Sequence, residues 1–293
     1  MKGRVHARYL RTFLFVTLPC CGGGDGFPTE WGSVEATSSA LLNHNALNPN
    51  ALNPNALNPN ALNPNALNPN ALNPSVLAPS RLQESSLSES ALGAITEPGE
   101  LGAISRQLLQ YIVSCALSSS QSFHFSWRDE LGELHEERYR GHLGLAASWI
   151  DEPLSPSRRL WVSACVASRA NRAGVSVMIS SRATHPALRY PDRSEVESFP
   201  REEGAFWGNL FTSPPRLYAC YKEANVANSR ALGRDCAAGR LDSAGAAREC
   251  PNIHIVGPCD LACDGRSTSG GPHPACSDDR GEPSSAVITT FLP

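Results

Sequence analysis

Leucine recurs at every fifth position from residue 42 to residue 92, and this spacing limits how the segment can fold. Asn-Pro-Asn-Ala fills the intervals across the uniform part of the repeat, from Asn45 to Pro74. A period of five matches neither the 3.6 residues of a helical turn nor the two residues of a strand. Proline would also remove a backbone donor and clash with the preceding turn of a helix. The repeat is therefore predicted not to be helical.

Two structures fit the period of five. Asn-Pro favours a turn, because proline presets φ and the asparagine side chain accepts a hydrogen bond from the backbone ahead. The leading interpretation is an extended, turn-rich stalk over residues 42–92, since a polar repeat without aromatics buries little surface. The alternative is a short pentapeptide-repeat β-solenoid with leucines pointing inward. Proline in most repeats, and room for fewer than three turns of the coil, count against the solenoid.

The first 21 residues resemble a bacterial lipoprotein signal. They hold four basic residues, a short apolar stretch from Thr12 to Leu18, and two cysteines followed by Gly22 to Gly24. In such signals the cysteine becomes the acylated mature terminus. We predict lipidation at Cys21, with Cys20 as the alternative site and plain secretion as the alternative route. Residues 22–41 are then a flexible tether, and a lipid anchor would attach the protein to a membrane.

The charge of the mature chain argues against nucleic-acid binding. The chain has 25 basic and 28 acidic residues, a net charge of −3. Removing the signal removes four basic and no acidic residues, which takes the net charge to −7. Phosphate binding needs clustered Lys and Arg, and beyond the signal the longest such cluster is Arg158-Arg159. We therefore expect no nucleic-acid partner.

Residues 98–293 are predicted to form a cysteine-rich α+β domain. Apolar residues recur at helical spacing over 101–117, and Ser155 with Pro156 starts a second helix that contains Cys165. Alternating segments at 122–127 and 134–139 predict a hairpin. Further strands are expected at three places along the chain: 174–181, 216–221 and 253–256. This mixture of helices and strands gives the α+β class.

Eight cysteines lie in this domain: Cys115, Cys165, Cys220, Cys236, Cys250, Cys259, Cys263 and Cys276. After an export signal, an even number predicts four disulfides. The pairing is open, except that Cys115 and Cys165 both lie on apolar helix faces and are expected to join. The alternative is a zinc site formed by Cys250, Cys259, Cys263 and Cys276, but paired two-residue knuckles are missing.

No catalytic motif stands out, and neither catalytic residues nor a cofactor are predicted. The sequence has no G-x-S-x-G elbow, no phosphate loop and no H-E-x-x-H. His124 and His135 are expected to face each other across the hairpin. Together with His142 they are predicted to be solvated surface residues, with a metal site or a hydrolase as the alternative, and no metal ligand is predicted.

Other candidate groups are assigned ordinary structural roles. The acidic pairs Asp151-Glu152, Glu202-Glu203 and Asp278-Asp279 are predicted to be surface charge, because neighbouring side chains point apart. Asp260 and Asp264 are candidate calcium ligands without the alternation of a calcium loop. Glycine-containing passages at 139–144 and 203–208 are interpreted as core packing at close backbone approaches, with a ligand groove as the alternative.

Several segments resemble one family. Residues 111–117 (YIVSCAL), 141–146 (GHLGLA), 161–165 (WVSAC) and 203–211 (EGAFWGNLF), placed after an export signal and a leucine repeat, are similar to a group of uncharacterised envelope proteins of myxobacteria. The resemblance implies an outer-membrane or cell-surface location and the domain limits, but it assigns no activity.

The predicted function is display. A stalk would present a disulfide-braced domain to a surface protein or polysaccharide. The alternatives are a secreted hydrolase and a purely structural spacer.

Overall fold

The computed structural model describes residues 51–52, 67, 72–171, 177–188 and 191–293. The predicted signal, the tether, Cys20, Cys21, most of the repeat before Leu72 and the first residues of the strand predicted at 174–181 lie outside these ranges. The described residues belong to one contact unit, 41–293.

Six helices and twelve strands are formed by the described residues. The helices are α1 Glu89–Thr96, α2 Glu100–Ala116, α3 Pro156–Ser168, α4 Arg193–Ser198, α5 Val226–Ala231 and α6 Cys259–Ala262. The strands are β1 Ala51–Leu52, β2 Ser122–Arg128, β3 Leu134–Arg140, β4 Ile179–Arg182, β5 Arg201–Asn209, β6 Arg216–Tyr221, β7 Arg240–Leu241, β8 Ala247–Arg248, β9 Ile253–Pro258, β10 Cys276–Ser277, β11 Pro283–Ser284 and β12 Ile288–Leu292. The α+β class is confirmed.

A six-stranded sheet with the order β1-β4-β12-β5-β6-β9 organises the domain. Its ladders are antiparallel except for β6 with β9, which run parallel. The C-terminal strand β12 lies between β4 and β5, so the end of the chain completes the middle of the sheet. Three separate hairpins, β2–β3, β7–β8 and β10–β11, lie outside this sheet.

The two faces of the sheet contribute to different clusters of buried residues. Phe206, Leu217 and Ile288 belong to a large cluster that also contains residues of α1, α2 and α3, here called the helix-side core. The alternate positions Trp207 and Val287 belong to a smaller group, here called the disulfide-side cluster, whose buried members are Ala205, Trp207, Cys220, Cys259, Cys276 and Val287. Because successive strand residues point to opposite faces, the two clusters lie on opposite sides of the sheet.

The end of the leucine repeat lies in the helix-side core. Five repeat leucines are buried there: Leu67, Leu72, Leu77, Leu82 and Leu87. The backbone N–H of Leu82 donates to the carbonyl of Trp149 at 2.9 Å, and that of Leu154 donates to the carbonyl of Ala78 at 3.0 Å. The predicted stalk is thus not confirmed, and the described repeat residues form no closed solenoid. Repeat leucines from Leu67 to Leu87 are thus buried in the same core as the domain predicted to start at 98.

One described Asn-Pro step confirms the predicted turn. Asn73 Oδ1 accepts a hydrogen bond from the Ser75 backbone N–H at 3.1 Å, and Pro74 starts a short 3₁₀ turn that ends at Val76. Proline presets the φ of the first residue, and the asparagine satisfies a donor that the turn leaves free. At this step the chain therefore turns as its sequence indicates, and the following Leu77 is buried in the core.

The three separate hairpins share one turn, written D-x-x-G-x. Their first residues are Asp129, Asp242 and Asp278, and in each turn one carboxylate oxygen accepts from the backbone N–H groups two and four residues ahead, at 2.9 Å. The glycines Gly132, Gly245 and Gly281 have φ of 81°, 78° and 81°, a conformation that other residues rarely adopt. The same D-x-x-G-x turn thus closes all three separate hairpins.

None of the helices among the described residues has the length and apolar character needed to span a bilayer.

Candidate functional site

All eight cysteines of the domain form disulfides. Cys115 bonds to Cys165, as predicted, and the other pairs are Cys220–Cys259, Cys236–Cys250 and Cys263–Cys276. The alternative zinc site is not formed, because its four cysteines are used in disulfides. Cys250 bonds to Cys236, Cys259 bonds to Cys220, and Cys263 bonds to Cys276. Four disulfides are compatible with an oxidising, extracytoplasmic compartment.

The three candidate histidines do not converge. In the hairpin, His124 lies opposite Arg138 and His135 opposite Trp127, so the expectation that the two histidines face each other is wrong. His135 stacks on Trp127 with a centroid distance of 4.5 Å. Burial, together with the positive charges of Arg169 and Arg140, lowers the pKa of His142 to about 4. No three-histidine metal or hydrolase site results.

Glu202 and Glu203 are buried, contrary to the predicted surface role. Glu203 forms an ion pair of 2.9 Å with Arg234, and both side chains are fully buried. Glu202 lies 2.9 Å from His273. A register shift in the β12–β5 ladder occurs at this point, so the adjacent glutamates reach different partners. Each buried carboxylate is stable because a cation or ring N–H faces it.

The other acidic candidates fit the structural interpretation. Glu152 accepts hydrogen bonds from Ser148 and Arg158, which lower its pKa, and neighbouring Asp151 is exposed. Asp260 binds the ammonium of Lys222 at 2.6 Å, which lowers the pKa of Asp260. Asp264 is also exposed. Asp260 is therefore neutralised by a lysine already present in the chain.

The predicted close backbone passage at 203–208 is confirmed. A Cβ added at Gly204 would lie 2.0 Å from the carbonyl oxygen of Cys220, so only glycine lets the two strands approach here. Phe206 and Trp207 are fully buried on opposite faces of β5. The passage serves packing, as the sequence favoured, and it also supports the groove beside it.

An open groove of about 280 Å³ lies on β6, β9 and the β10–β11 hairpin. The polar and aromatic residues that line it are Arg216, Tyr218, Glu249, Asn252, His254, Asp279 and Arg280. Tyr218 and His254 are neighbours across the parallel β6–β9 ladder, and their rings meet edge to face with centroids 6.2 Å apart. The groove is thus built by pairing between segments that are distant in the sequence.

The aromatic side of the groove is firmly supported. The Tyr218 ring stacks on the buried Trp207 ring with centroids 5.9 Å apart and an interplanar angle of 24°. Burial and the nearby Asp278 carboxylate raise the pKa of the Tyr218 hydroxyl, which keeps it protonated at neutral pH. Asp278 is fixed in turn by the backbone N–H groups of Arg280 and Glu282. The ring has little freedom to move, and this reduces the entropy lost on binding.

The charges of the groove balance. The exposed cations Arg216 and Arg280 are matched by the exposed carboxylates of Glu249 and Asp279. Glu249 Oε1 lies 3.0 Å from His254 Nδ1 and accepts from the Ile255 backbone N–H at 2.8 Å. The groove therefore offers both donors and acceptors without a strong field of one sign.

Asn252 adds a backbone feature to the same groove. Its φ of 62° is in the left-handed region, where non-glycine residues are uncommon, although asparagine tolerates it best. The next residue, Ile253, begins β9 and is buried. The exposed Asn252 thus lines the groove directly before β9.

Sequence reasoning did not identify this groove. One signal was present: in the strand predicted at 216–221, Tyr218 and Cys220 alternate onto the same face, which places Tyr218 beside a disulfide. The partners His254 and Asp279 are joined to it only through long-range pairing. No local pattern marks that pairing.

No family model matches the chain, and the searches of curated proteins and of solved structures found no match either. The similarity to myxobacterial envelope proteins stays a prediction.

Proposed function

We propose that this chain is an extracytoplasmic, cell-surface protein whose disulfide-braced domain binds a neutral polysaccharide in the Tyr218 groove. The observation that supports this most is the Tyr218 ring, held on Trp207 beside balanced donors and acceptors. The proposal assigns recognition to the domain and attachment to the chain that precedes it.

A sugar ring matches the chemistry of the groove. Sugars present an apolar C–H face together with hydroxyl groups that both donate and accept hydrogen bonds. The tyrosine ring supplies an apolar platform with a polar tip. Arg216 and Arg280 supply donors, and Asp279 supplies an acceptor. Binding sites for small ligands combine an apolar surface with a few placed polar groups in this way.

Charge favours a neutral ligand over a polyanion. A nucleic acid or an acidic polymer would need an excess of cations along the groove. Here the two arginines are offset by Glu249 and Asp279. The negative net charge of the chain points in the same direction.

The proposed display on the cell surface is supported by the lipoprotein-like sequence of the first 21 residues. The lipoprotein-like signal and Cys21 would anchor the protein, and secretion is the alternative. The residues between Cys21 and Ala51, where β1 begins, would separate the anchor from the binding domain. We propose this separation as the role of the early repeats, since the last repeats are part of the core.

Binding to a panel of neutral and acidic polysaccharides tests the proposal. We expect the mature chain to bind at least one neutral polymer with little dependence on salt. Tyr218→Ala should weaken that binding about tenfold, equal to about 1.4 kcal/mol, while Tyr218→Phe retains most of it. Circular dichroism of each variant checks that the domain is folded.

A matched histidine pair provides the control. His254→Ala should weaken binding, whereas His124→Ala, at an exposed position of the β2–β3 hairpin, should leave it unchanged. Failure to bind any neutral polymer, or equal binding by wild type and Tyr218→Ala, would contradict the proposal. Binding only to acidic polymers, with steep loss in salt, would contradict the neutral-ligand assignment.

A further inference from the structure

Two disulfides of the disulfide-side cluster touch each other. Cys220 Sγ, bonded to Cys259, lies 3.4 Å from Cys263 Sγ, which is bonded to Cys276. Cys259 begins α6 and Cys263 follows its last residue, and the Cys263 backbone N–H donates to the Cys259 carbonyl at 2.9 Å. The short helix therefore holds one sulfur of each bond within contact distance of Cys220.

The accessibility of the sulfur-bearing residues differs. Cys220, Cys259 and Cys276 are buried, whereas Cys263 is partly exposed. Exchange begins where a thiolate can reach a disulfide sulfur, so Cys263 is the point of entry from solvent. The buried Cys220–Cys259 bond is reachable only from inside, through Cys263.

A buried polar pair lies beside Cys259. Cys259 Sγ, a ring nitrogen of His273 and a carboxylate oxygen of Glu202 all lie within 4.8 Å of one another. His273 Nδ1 faces the Asp264 carbonyl at 2.9 Å, so this nitrogen carries a proton, because a carbonyl only accepts. Arg266 also contacts Glu202, at 3.0 Å. A thiolate released at Cys259 would lie beside the His273 ring, and Arg266 offsets the charge of the neighbouring Glu202 carboxylate, which would otherwise disfavour the thiolate.

We propose that Cys220, Cys259, Cys263 and Cys276 form a thiol–disulfide exchange site whose co-substrate is a dithiol. In the first step the dithiol attacks Cys263 Sγ and then closes to its own disulfide. The Cys263–Cys276 bond takes up two electrons and two protons, giving two thiols, and the dithiol is oxidised by the same amount.

The second step is an internal transfer. The Cys263 thiolate attacks Cys220 Sγ across the 3.4 Å contact, the Cys220–Cys259 bond breaks, and a Cys220–Cys263 bond forms. Cys259 leaves as a thiolate and takes up the proton that Cys263 lost, so this step is neutral in electrons. The product carries thiols at Cys259 and Cys276, so one thiol has moved from the partly exposed Cys263 to the buried Cys259 beside His273.

Mapping of thiols after limited reduction tests this. The mature protein is treated with less than one equivalent of dithiothreitol, quenched with acid, alkylated and digested, and its linked peptides are identified by mass spectrometry. We expect a Cys220–Cys263 linked peptide with alkyl groups on Cys259 and Cys276. Alkylation confined to Cys263 and Cys276, with Cys220–Cys259 intact, would overturn the proposal, as would first reduction at Cys115–Cys165 or Cys236–Cys250.

A variant pair tests the internal step without a reductant. Cys276→Ser leaves Cys263 as a thiol, and we expect the label to appear on Cys259 with Cys220 bonded to Cys263. The matched control Cys250→Ser leaves Cys236 as a thiol, and its label should stay on Cys236. A label that stays on Cys263 in the first variant would overturn the internal transfer. Since limited reduction uses the unaltered chain, a folding failure of either variant leaves that test intact.

Discussion

The two faces of the central sheet are stabilised in different ways. On one face, the helix-side core gathers apolar side chains from the repeat, α1, α2, α3 and the β2–β3 hairpin. On the other face, the disulfide-side cluster has three cysteines among its few buried residues, and carboxylates, arginines and His273 lie nearby. Apolar burial scales with area, so the helix-side core depends mainly on its many apolar side chains, although it also contains the Cys115–Cys165 and Cys236–Cys250 disulfides. Where apolar area is small, disulfides restrict the unfolded chain instead.

Both candidate sites lie on the face with the smaller apolar cluster. The Tyr218 groove and the touching disulfides both belong to the side with little apolar packing, where polar groups and sulfurs are available. The helix-side core gives them a stable base through the shared strands β5 and β6. The proposed recognition site and the larger apolar core thus lie on opposite faces of one sheet.

The largest effect is expected from shortening a repeat leucine. Leu77 is fully buried in the helix-side core, so Leu77→Ala should lower the free energy of unfolding by about 2–5 kcal/mol in urea denaturation, through lost burial and a cavity. The control Leu131→Ala changes a leucine that is 92% exposed and should shift stability by less than about 0.5 kcal/mol. Equal effects would mean that the repeat does not contribute to the core.

The next largest effect is expected on the pH dependence of the free energy of unfolding. The pKa of His142 is about 4 in the folded chain against 6.5 for an ordinary histidine, so the unfolded chain binds the proton more readily. The contribution of neutral His142 to the free energy of unfolding is fully present above pH 6.5. It is lost as the pH falls toward 4, by up to about 3 kcal/mol. In His142→Gln the loss between pH 6.5 and 4 should be smaller, as measured by denaturation across that range.

The exposed His124 provides a control for this pH effect. His124→Gln should retain the full acid dependence of the wild-type chain. If the stability of His142→Gln depended on pH as strongly as that of His124→Gln, His142 would not be the half-buried, neutral group described above.

The smallest effect is expected on the other face. Asp278→Ala removes the acceptor for two backbone N–H groups of the β10–β11 turn and should cost about 1 kcal/mol, as the loss of a cap does. It should also lower the pKa of the Tyr218 hydroxyl, visible in an ultraviolet titration, because a nearby negative charge is lost. Asp279→Ala is the neighbouring control and should change the unfolding free energy little. A Tyr218 titration unchanged by Asp278→Ala would contradict the groove geometry.

Local patterns predicted much of the helix-side layer. The helix at 101–117, the hairpin turn at Asp129 and the Pro156 helix start all depend on residues close in sequence, and all three were confirmed. The Cys115–Cys165 bond was predictable because each cysteine shares an apolar helix face. The burial of the repeat leucines was not, since a period of five matches no regular element and the partner segment around Trp149 lies far along the chain.

The other layer depends on contacts that no short segment encodes. Strand β5 begins with Arg201, Glu202 and Glu203 and is then buried on both faces, so it shows no alternation of apolar and polar residues. Strand β12 enters the middle of the sheet from the end of the chain. The Cys220–Cys259 bond joins β6 to α6, and the Cys263–Cys276 bond joins the residue after α6 to β10, so these pairings follow from the folded sheet rather than from spacing.

Hydrogen exchange with and without full reduction by dithiothreitol tests the two-face account most directly. The account predicts that amides of α2, α3 and Leu82 stay protected after reduction, while those of β9, α6 and β10 exchange much faster. Equal loss of protection on both faces would contradict it, because the helix-side core would then depend on the disulfides as much as the other face does.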